Sequence, residues 1–397
     1  MIQWIGFLIA MMVILVGARY HLTLALLTGS LILGLFTLTL RGVVEQAYVT
    51  LTTLDTVVLI FALGMIPIIG GILQESGKLN DIINNLRVGK RPFLGSTPAL
   101  LGLLPIPGGA LFSAPLIDKA GDDLDGHVKT GINVWFRHVL YFIYPISYAL
   151  FVSADIANLS VYKIILFQIP FFLLTVFLGY FFLLRKVKGE MNYDKDFDLD
   201  ALLPPLAVLL TAPILHFILS EIFFFEIENL SVFIAIAVSL TLAVFIVEES
   251  KIKIIKKSIK EMRPWNFMVL IFSLYFFINV FRSSGIGELI ENLSLPPIVL
   301  IVGFGFILGI ATGRIILPAS IIIPIYMSTY GFETLPLIVF SMLYVSIFMG
   351  YVITPVHPCI SISLEYFDGK MDKFLKLMAG PVVISLVIVS IIFLLFV

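Results

Sequence analysis

Apolar stretches alternate with short polar segments along the whole chain, at a spacing that predicts a bundle of membrane-spanning helices. About 20 apolar residues cross a bilayer core. Ten runs meet or approach that length, at residues 2–16, 22–40, 56–73, 130–152, 164–184, 202–219, 230–247, 265–281, 335–353 and 374–397. Two more apolar segments resist that reading. In 105–118, PIPGGALFSAPLID, the residues Pro105, Pro107, Gly108 and Gly109 fall within five positions. They remove backbone donors and helical preference together, so the chain must bend there. The segment 295–327 is too long for one span and is interrupted by Ala311, Thr312, Gly313, Arg314 and Pro318. Non-helical backbone at membrane depth persists only where protein or a watery cavity surrounds it. The regions 92–118 and 295–327 are therefore expected to be re-entrant hairpins whose tips line a site.

Weak echoes link the two halves. VLIF stands at 58–61 and again at 269–272, Ser76-Gly77 returns as Ser284-Gly285, Asn85-Leu86 as Asn292-Leu293, Pro115 as Pro324 and Pro145 as Pro355. The separations run from 207 to 211 residues and the pairs keep their order, which favours a repeat over coincidence. Charge tests the topology, because lysine and arginine collect on the cytoplasmic side. With hairpins and ten crossing spans, 20 of the 25 basic residues share one face, Arg41, Lys163 and Arg282 take the other, and Arg137 and Arg314 stay inside the membrane. If both segments crossed fully, the same loops would divide 13 to 10. The expected fold is an all-α polytopic membrane protein of about ten transmembrane helices plus two re-entrant hairpins in two inverted repeats. Residues 1–184 form the first repeat, 185–200 a charged cytoplasmic linker and 201–397 the second repeat, with both termini outside a cell (inner) membrane. Hairpin arms of roughly 12–14 residues extend about 18–21 Å, so both tips should meet near the midplane.

Composition adds the exclusions. Of 397 residues 60% are hydrophobic and 13% charged, against about a quarter charged in soluble domains, and the mean hydropathy is +1.09. A net charge of −1 with short basic clusters gives no field for nucleic acid. The single cysteine, Cys359, excludes an intramolecular disulfide and reads as packing. The first apolar run lacks a basic leader and a cleavage site, so it is read as a retained span. The sequence holds no phosphate loop for ATP drive and no H-E-x-x-H or G-x-S-x-G motif for an intramembrane hydrolase. No carboxylate pair lies inside a span. Asp55, Asp118 and Asp155 fall in loops or near span ends, which favours solute carriage over pure ion exchange.

The pattern of hairpin PIPGGALFSAPLID with Pro145, and hairpin GIATGRIILPASIIIP with TPVHPCIS, resembles the ion transporter superfamily of citrate, dicarboxylate, gluconate, arsenite and sodium/proton carriers. The likeness is nearest to its ten-helix integral membrane family and covers nearly the whole chain. The Ser-Asn-Thr tripeptide that dicarboxylate relatives place at hairpin tips is absent. The resemblance implies a homodimer in which hairpins and broken helices slide as a transport domain, elevator fashion, against a scaffold of spans one to three and six to eight.

Arg314 is the most informative residue, since a charge at helix centre costs roughly 2.5–3.5 kcal/mol and no acid lies nearby in sequence. An anionic solute would supply the partner, and guanidinium suits carboxylate through paired hydrogen bonds. Arg137, with His138 beside it, either faces the same cavity or stabilises its span. Pro145 frees carbonyls around Phe142 to Tyr144, and Ser147 adds a hydroxyl, as sodium sites use. Thr354, His357 and Ser361 form the matching polar run with Pro355 and Pro358, where His357 could carry a coupled proton. Gly108, Gly109, Ser113, Thr312, Gly313 and Ser320 complete the expected substrate-binding set, with Gly109, Ser113, Pro145 and Thr354 as a sodium site. The reading is a secondary active transporter of a small organic anion, of carboxylate class, with sodium or protons as coupling ion and no other cofactor. Its rivals are a cation/proton antiporter on the same fold and a membrane enzyme or assembly factor for a lipid-linked substrate.

Overall fold

A computed structural model describes residues 2–397 apart from 107, 192, 194, 195, 249 and 292–294. Pro107 of the first tip, Lys195 of the linker and the Asn292-Leu293 echo thus lie outside the described residues. The described residues are all-helical. The first half holds α1 (Ile2–Gly17), α2 (Leu22–Thr37), α3 (Leu40–Thr52), α4 (Leu54–Glu75), α5 (Lys78–Asn84), α6 (Lys90–Gly102), α7 (Ala110–Ala120), α8 (Gly126–Val139), α9 (Tyr148–Ile156) and α10 (Val161–Gly179), the last extended by a π turn over Tyr180–Leu184. The second holds α11 (Leu199–Ile222), α12 (Leu230–Phe245), α13 (Lys251–Met262), α14 (Pro264–Ser283), α15 (Ile286–Glu291), then a π turn (Val299–Phe304) into α16 (Gly305–Thr312), α17 (Ile316–Tyr330), α18 (Leu337–Tyr351), α19 (Pro358–Tyr366) and α20 (Met371–Phe396). The order of long, short and broken helices thus runs twice.

Five helices are long and apolar enough to cross a membrane alone: α4, α10 with its π turn, α11, α14 and α20. Large apolar side chains are exposed along three of them, including Leu166, Leu173 and Phe177 of α10, Leu210 and Ile214 of α11, and Val387 and Ile391 of α20. Such a surface is stable in lipid. Of the expected spans, 130–152 is not continuous, whereas 335–353 is the single helix α18. The first is α8 and α9 separated at residues 140–147, where Pro145 has no N–H to give the ladder. Beyond α18 the chain breaks around Pro355 and resumes as the separate short helix α19, which ends at Tyr366. Of the helices that fall outside the expected spans and hairpins, α3 and α13 are the longest. Each is amphipathic, and α13 carries five lysines, as suits a helix lying at a membrane surface. Within the linker, the Tyr193 hydroxyl is hydrogen-bonded to Val88 and the Asp198 N–H donates to Asn85 Oδ1 at 2.6 Å, so this stretch is tied to the segment before α6.

Packing sorts the helices into two groups. Helices α1–α4 pack with α11–α14, whereas α6–α10 pack with α16–α20, and α17 bridges to α14 and α15. Contacts also exchange between corresponding helices: α2 meets α14 as α12 meets α4, and α8 meets α20 as α18 meets α10. In the second group α8, α17 and α18 are buried almost throughout. Glycines let the hairpin arms reach them. A Cβ on Gly309 of α16 would stand 2.4 Å from the Ile347 carbonyl of α18, and one on Gly102 of α6 would stand 1.8 Å from the Arg137 carbonyl of α8. Gly309→Val is therefore expected to cost about 2–3 kcal/mol by overpacking. Gly303→Ala, whose Cβ has its nearest neighbour at 3.9 Å, should leave the melting temperature of the purified protein nearly unchanged.

Candidate functional site

The first hairpin turns between α6 and α7, with Gly108 in the left-handed region at φ +67. Arg137, at the end of α8, is 5% exposed and points into this turn. Its Nη1 donates to the Gly109 carbonyl at 2.8 Å and its Nη2 to the Leu101 carbonyl at 3.1 Å. Leu101 lies in the last turn of α6, the negative end of that helix dipole, so the buried cation is balanced by carbonyls rather than by an acid. A Cβ on Gly109 would stand 2.0 Å from Arg137 Nη2, so a larger residue there would push the guanidinium off its carbonyls.

The second hairpin turns between α16 and α17. Gly313 adopts φ +59, and its added Cβ would lie 2.9 Å from the His357 nitrogen, so this tip packs directly on the α18–α19 break. The Thr312 hydroxyl accepts from the Arg314 N–H at 3.3 Å and steadies the turn. Arg314 itself is exposed and lines a cavity of about 240 Å³. Among the described residues its guanidinium has no hydrogen bond or ion pair. It precedes the N-terminus of α17, whose dipole adds positive potential.

A second cavity, of about 220 Å³, lies beneath the first tip and is lined by Gly108, Gly109 and Arg137. The two cavities share Tyr141, Tyr148, Tyr351, Phe267, Pro358 and Cys359. Phe267, Leu270, Ile271 and Leu274 come from α14, so the space lies between the two helix groups. Its polar wall is aromatic. His357 stacks on Tyr351 at 4.0 Å between ring centroids, and His138 stands 4.8 Å from His357 and 4.9 Å from Tyr351. The hydroxyls of Tyr141, Tyr148 and Tyr351 make no hydrogen bond among the described residues, so three phenolic donors and one guanidinium face the same space.

Six of the expected site residues line it: Arg314, Gly313 and His357 on one side, Gly108, Gly109 and Arg137 on the other. The rest act behind the wall. Ser113 donates to Asn133 Oδ1 at 2.5 Å, and Asn133 in turn donates to Ser363, forming a buried polar knot. Thr312 and Ser320 bond their own helix carbonyls, and Thr354 donates to the Ile310 carbonyl at 2.6 Å, tying the break to α16. Tyr144 turns away and donates to the Leu209 carbonyl of α11. Ser361 donates to the Pro355 carbonyl. Ser147 is buried, and its Oγ has no partner among the described residues. The expected sodium set does not converge: Gly109's carbonyl is held by a guanidinium, which opposes a cation there, while Ser113 and Thr354 donate elsewhere. The sequence alone does not place Tyr141, Tyr148 and Tyr351 at the site, names His138 only beside Arg137, and reads Cys359 as packing.

A polar latch ties the two groups nearby. Asp155 of α9 accepts a hydrogen bond from the Tyr275 hydroxyl of α14 and another from Asn229 Nδ2 at 3.3 Å, while the Asn229 N–H donates to Asp55.

The fold is shared with a solved protein. The chain is similar to the YdaH transporter of Alcanivorax borkumensis, reported to have an unusual topology, with a TM-score of 0.61 over 98% of this chain and 97% of that one. Identity is 14%, so the likeness is one of fold. No curated protein matches the sequence. The model of the family described as protein of unknown function DUF401 matches residues 4–396, and the chain belongs to that family.

Proposed function

We propose that the protein is a secondary active transporter of a small organic anion of carboxylate class, with the cavity between the two helix groups as its binding site. The carrying observation is Arg314, at the tip of a hairpin, whose guanidinium has no partner among the described residues and lines a cavity with three tyrosines whose hydroxyls have none there either. An anion supplies the missing charge and accepts from all four groups. At about 240 Å³ the cavity is smaller than the 300 Å³ or more typical of drug-sized ligands, which points to a small solute. Arg137 is the holder of the first tip rather than a ligand.

The doubled helix order and exchanged contacts support the reading of two inverted repeats, 1–184 and 201–397, joined by a linker at 185–200, with both hairpins entering the membrane and both termini outside a cell membrane. The division into two packed groups supports an elevator-type motion of α6–α10 and α16–α20 against a scaffold that dimerises, as in the ion transporter superfamily. Sodium or protons drive it. Reconstitution into proteoliposomes tests the reading: uptake of a labelled carboxylate should follow an imposed sodium or proton gradient, and equal uptake by empty vesicles would refute it. Sliding must also break the Asp155 latch. Hydrogen bonds to charged groups contribute about 1.5–3 kcal/mol, so Asp155→Ala should depopulate this arrangement by roughly tenfold or more. The same change should appear in the rate at which Cys359 reacts with a soluble thiol reagent, and an unchanged rate would count against sliding.

A further inference from the structure

The wall shared by the two cavities holds a second chemistry. His138 at the end of α8, His357 in the α18–α19 break and Cys359 in the first turn of α19 each offer a ligand atom, and the three atoms lie within 4.8 Å of one another. Both rings are held from behind. His138 Nδ1 lies 2.7 Å from the Val134 carbonyl and His357 Nδ1 lies 3.1 Å from the Tyr351 carbonyl. A carbonyl oxygen only accepts, so each Nδ1 carries the proton and each Nε2 keeps a lone pair. This is the arrangement by which backbone groups orient imidazoles for metal binding. Neither Nε2 has a hydrogen-bond partner among the described residues. The cluster is not a by-product of the repeat, because the positions 210 residues away hold Phe348, Ser147 and Ala149.

We propose that His138, His357 and Cys359 form a three-coordinate site for a soft monovalent metal ion, Cu(I) in the first instance. Two imidazole nitrogens and one thiolate match the preference of soft ions. Charge decides between Cu(I) and Zn(II). Arg137 and Arg314 line the same cavities, so the site takes the ion that leaves it neutral. Cu(I) with one thiolate does so, whereas Zn(II) would leave a further positive charge beside two guanidiniums, and zinc usually takes a fourth ligand. Binding replaces the thiol proton: Cys359 S–H and Cu(I) give Cys359 S–Cu with one proton released to solvent, and both histidines bind as neutral ligands. An ion held at roughly 2.0–2.3 Å keeps its donors about 3.5–4 Å apart, so the side chains close by about an ångström. The ion then joins α8 to the α18–α19 break, one from each half of the chain.

The test is anaerobic titration of the purified full-length protein with Cu(I) against a competing chelator, in the absence of any organic anion, so that its outcome is separate from that of the transport reading. The expected result is one Cu(I) per chain, one proton released per ion, and X-ray absorption showing one sulfur and two nitrogen neighbours. Cys359→Ser and His138→Gln should each weaken binding at least 100-fold. The absorption spectrum of the unaltered protein stands even if a variant does not fold. No stoichiometric binding, binding unaffected by Cys359→Ser, or tight Zn(II) binding without Cu(I) would each overturn the proposal.

Discussion

Arg314→Ala is expected to weaken binding of the transported anion about 100-fold while leaving the melting temperature of the ligand-free protein within about one degree. The guanidinium has no hydrogen bond or ion pair among the described residues and is exposed, so its removal leaves no buried acceptor unpaired there. What it removes is a charge-assisted bond to the solute, and truncating one side of such a pair costs about 2–5 kcal/mol of affinity. Arg314→Lys should recover only part of the loss, since an ammonium keeps the charge but not the paired geometry. Uptake kinetics and melting of the same preparations check this. A variant that melts early, or that binds every anion as tightly as the parent, would move Arg314 out of the site.

Arg137 should behave in the opposite way. Its two donors satisfy the carbonyls of Gly109 and Leu101 inside the protein, and leaving a buried acceptor unpaired costs about 1–3 kcal/mol for each group. Arg137→Met, which keeps much of the side-chain volume, is expected to lower stability by about 3–5 kcal/mol and to release the first hairpin tip, so transport is lost together with the fold. Lysine does not rescue it, because one ammonium on a flexible stem does not reproduce the planar fork that spans two carbonyls. Denaturation of the detergent-solubilised protein, compared with Arg314→Ala, separates the two roles. Equal stability of the two variants would contradict the assignment.

This pair marks how far the sequence can be read. Both arginines are single charges in apolar segments, and the sequence ranks Arg314 first but leaves Arg137 between a place in the cavity and a structural role in its span. Only the placement of the α6 carbonyls and of Gly109 makes one structural. The apolar runs and the proline and glycine clusters located the apolar helices and the turns between α6 and α7 and between α16 and α17, because lipid forces backbone polar groups to pair within a helix and so makes each break conspicuous. Tyr141, Tyr148 and Tyr351 escaped notice because a tyrosine in an apolar helix looks the same whether its hydroxyl meets a cavity or a carbonyl, as that of Tyr144 does. The helices α3 and α13 were missed because interfacial helices are too polar to register as spans. Cys359 read as packing, and the ring of His138 that faces it is brought there by an α8–α19 contact that joins residues over 220 apart.

The measurement that bears most directly on the central claim is the stability of the purified protein against a panel of carboxylates, phosphate, sugar acids and neutral analogues, each in sodium and in potassium. A ligand that binds only the folded state stabilises it by about 2.7 kcal/mol at 100 times its dissociation constant. The account predicts that at least one carboxylate raises the melting temperature, that neutral analogues do not, and that the rise disappears in Arg314→Ala. Stabilisation by the same carboxylate that persists undiminished in Arg314→Ala would contradict it.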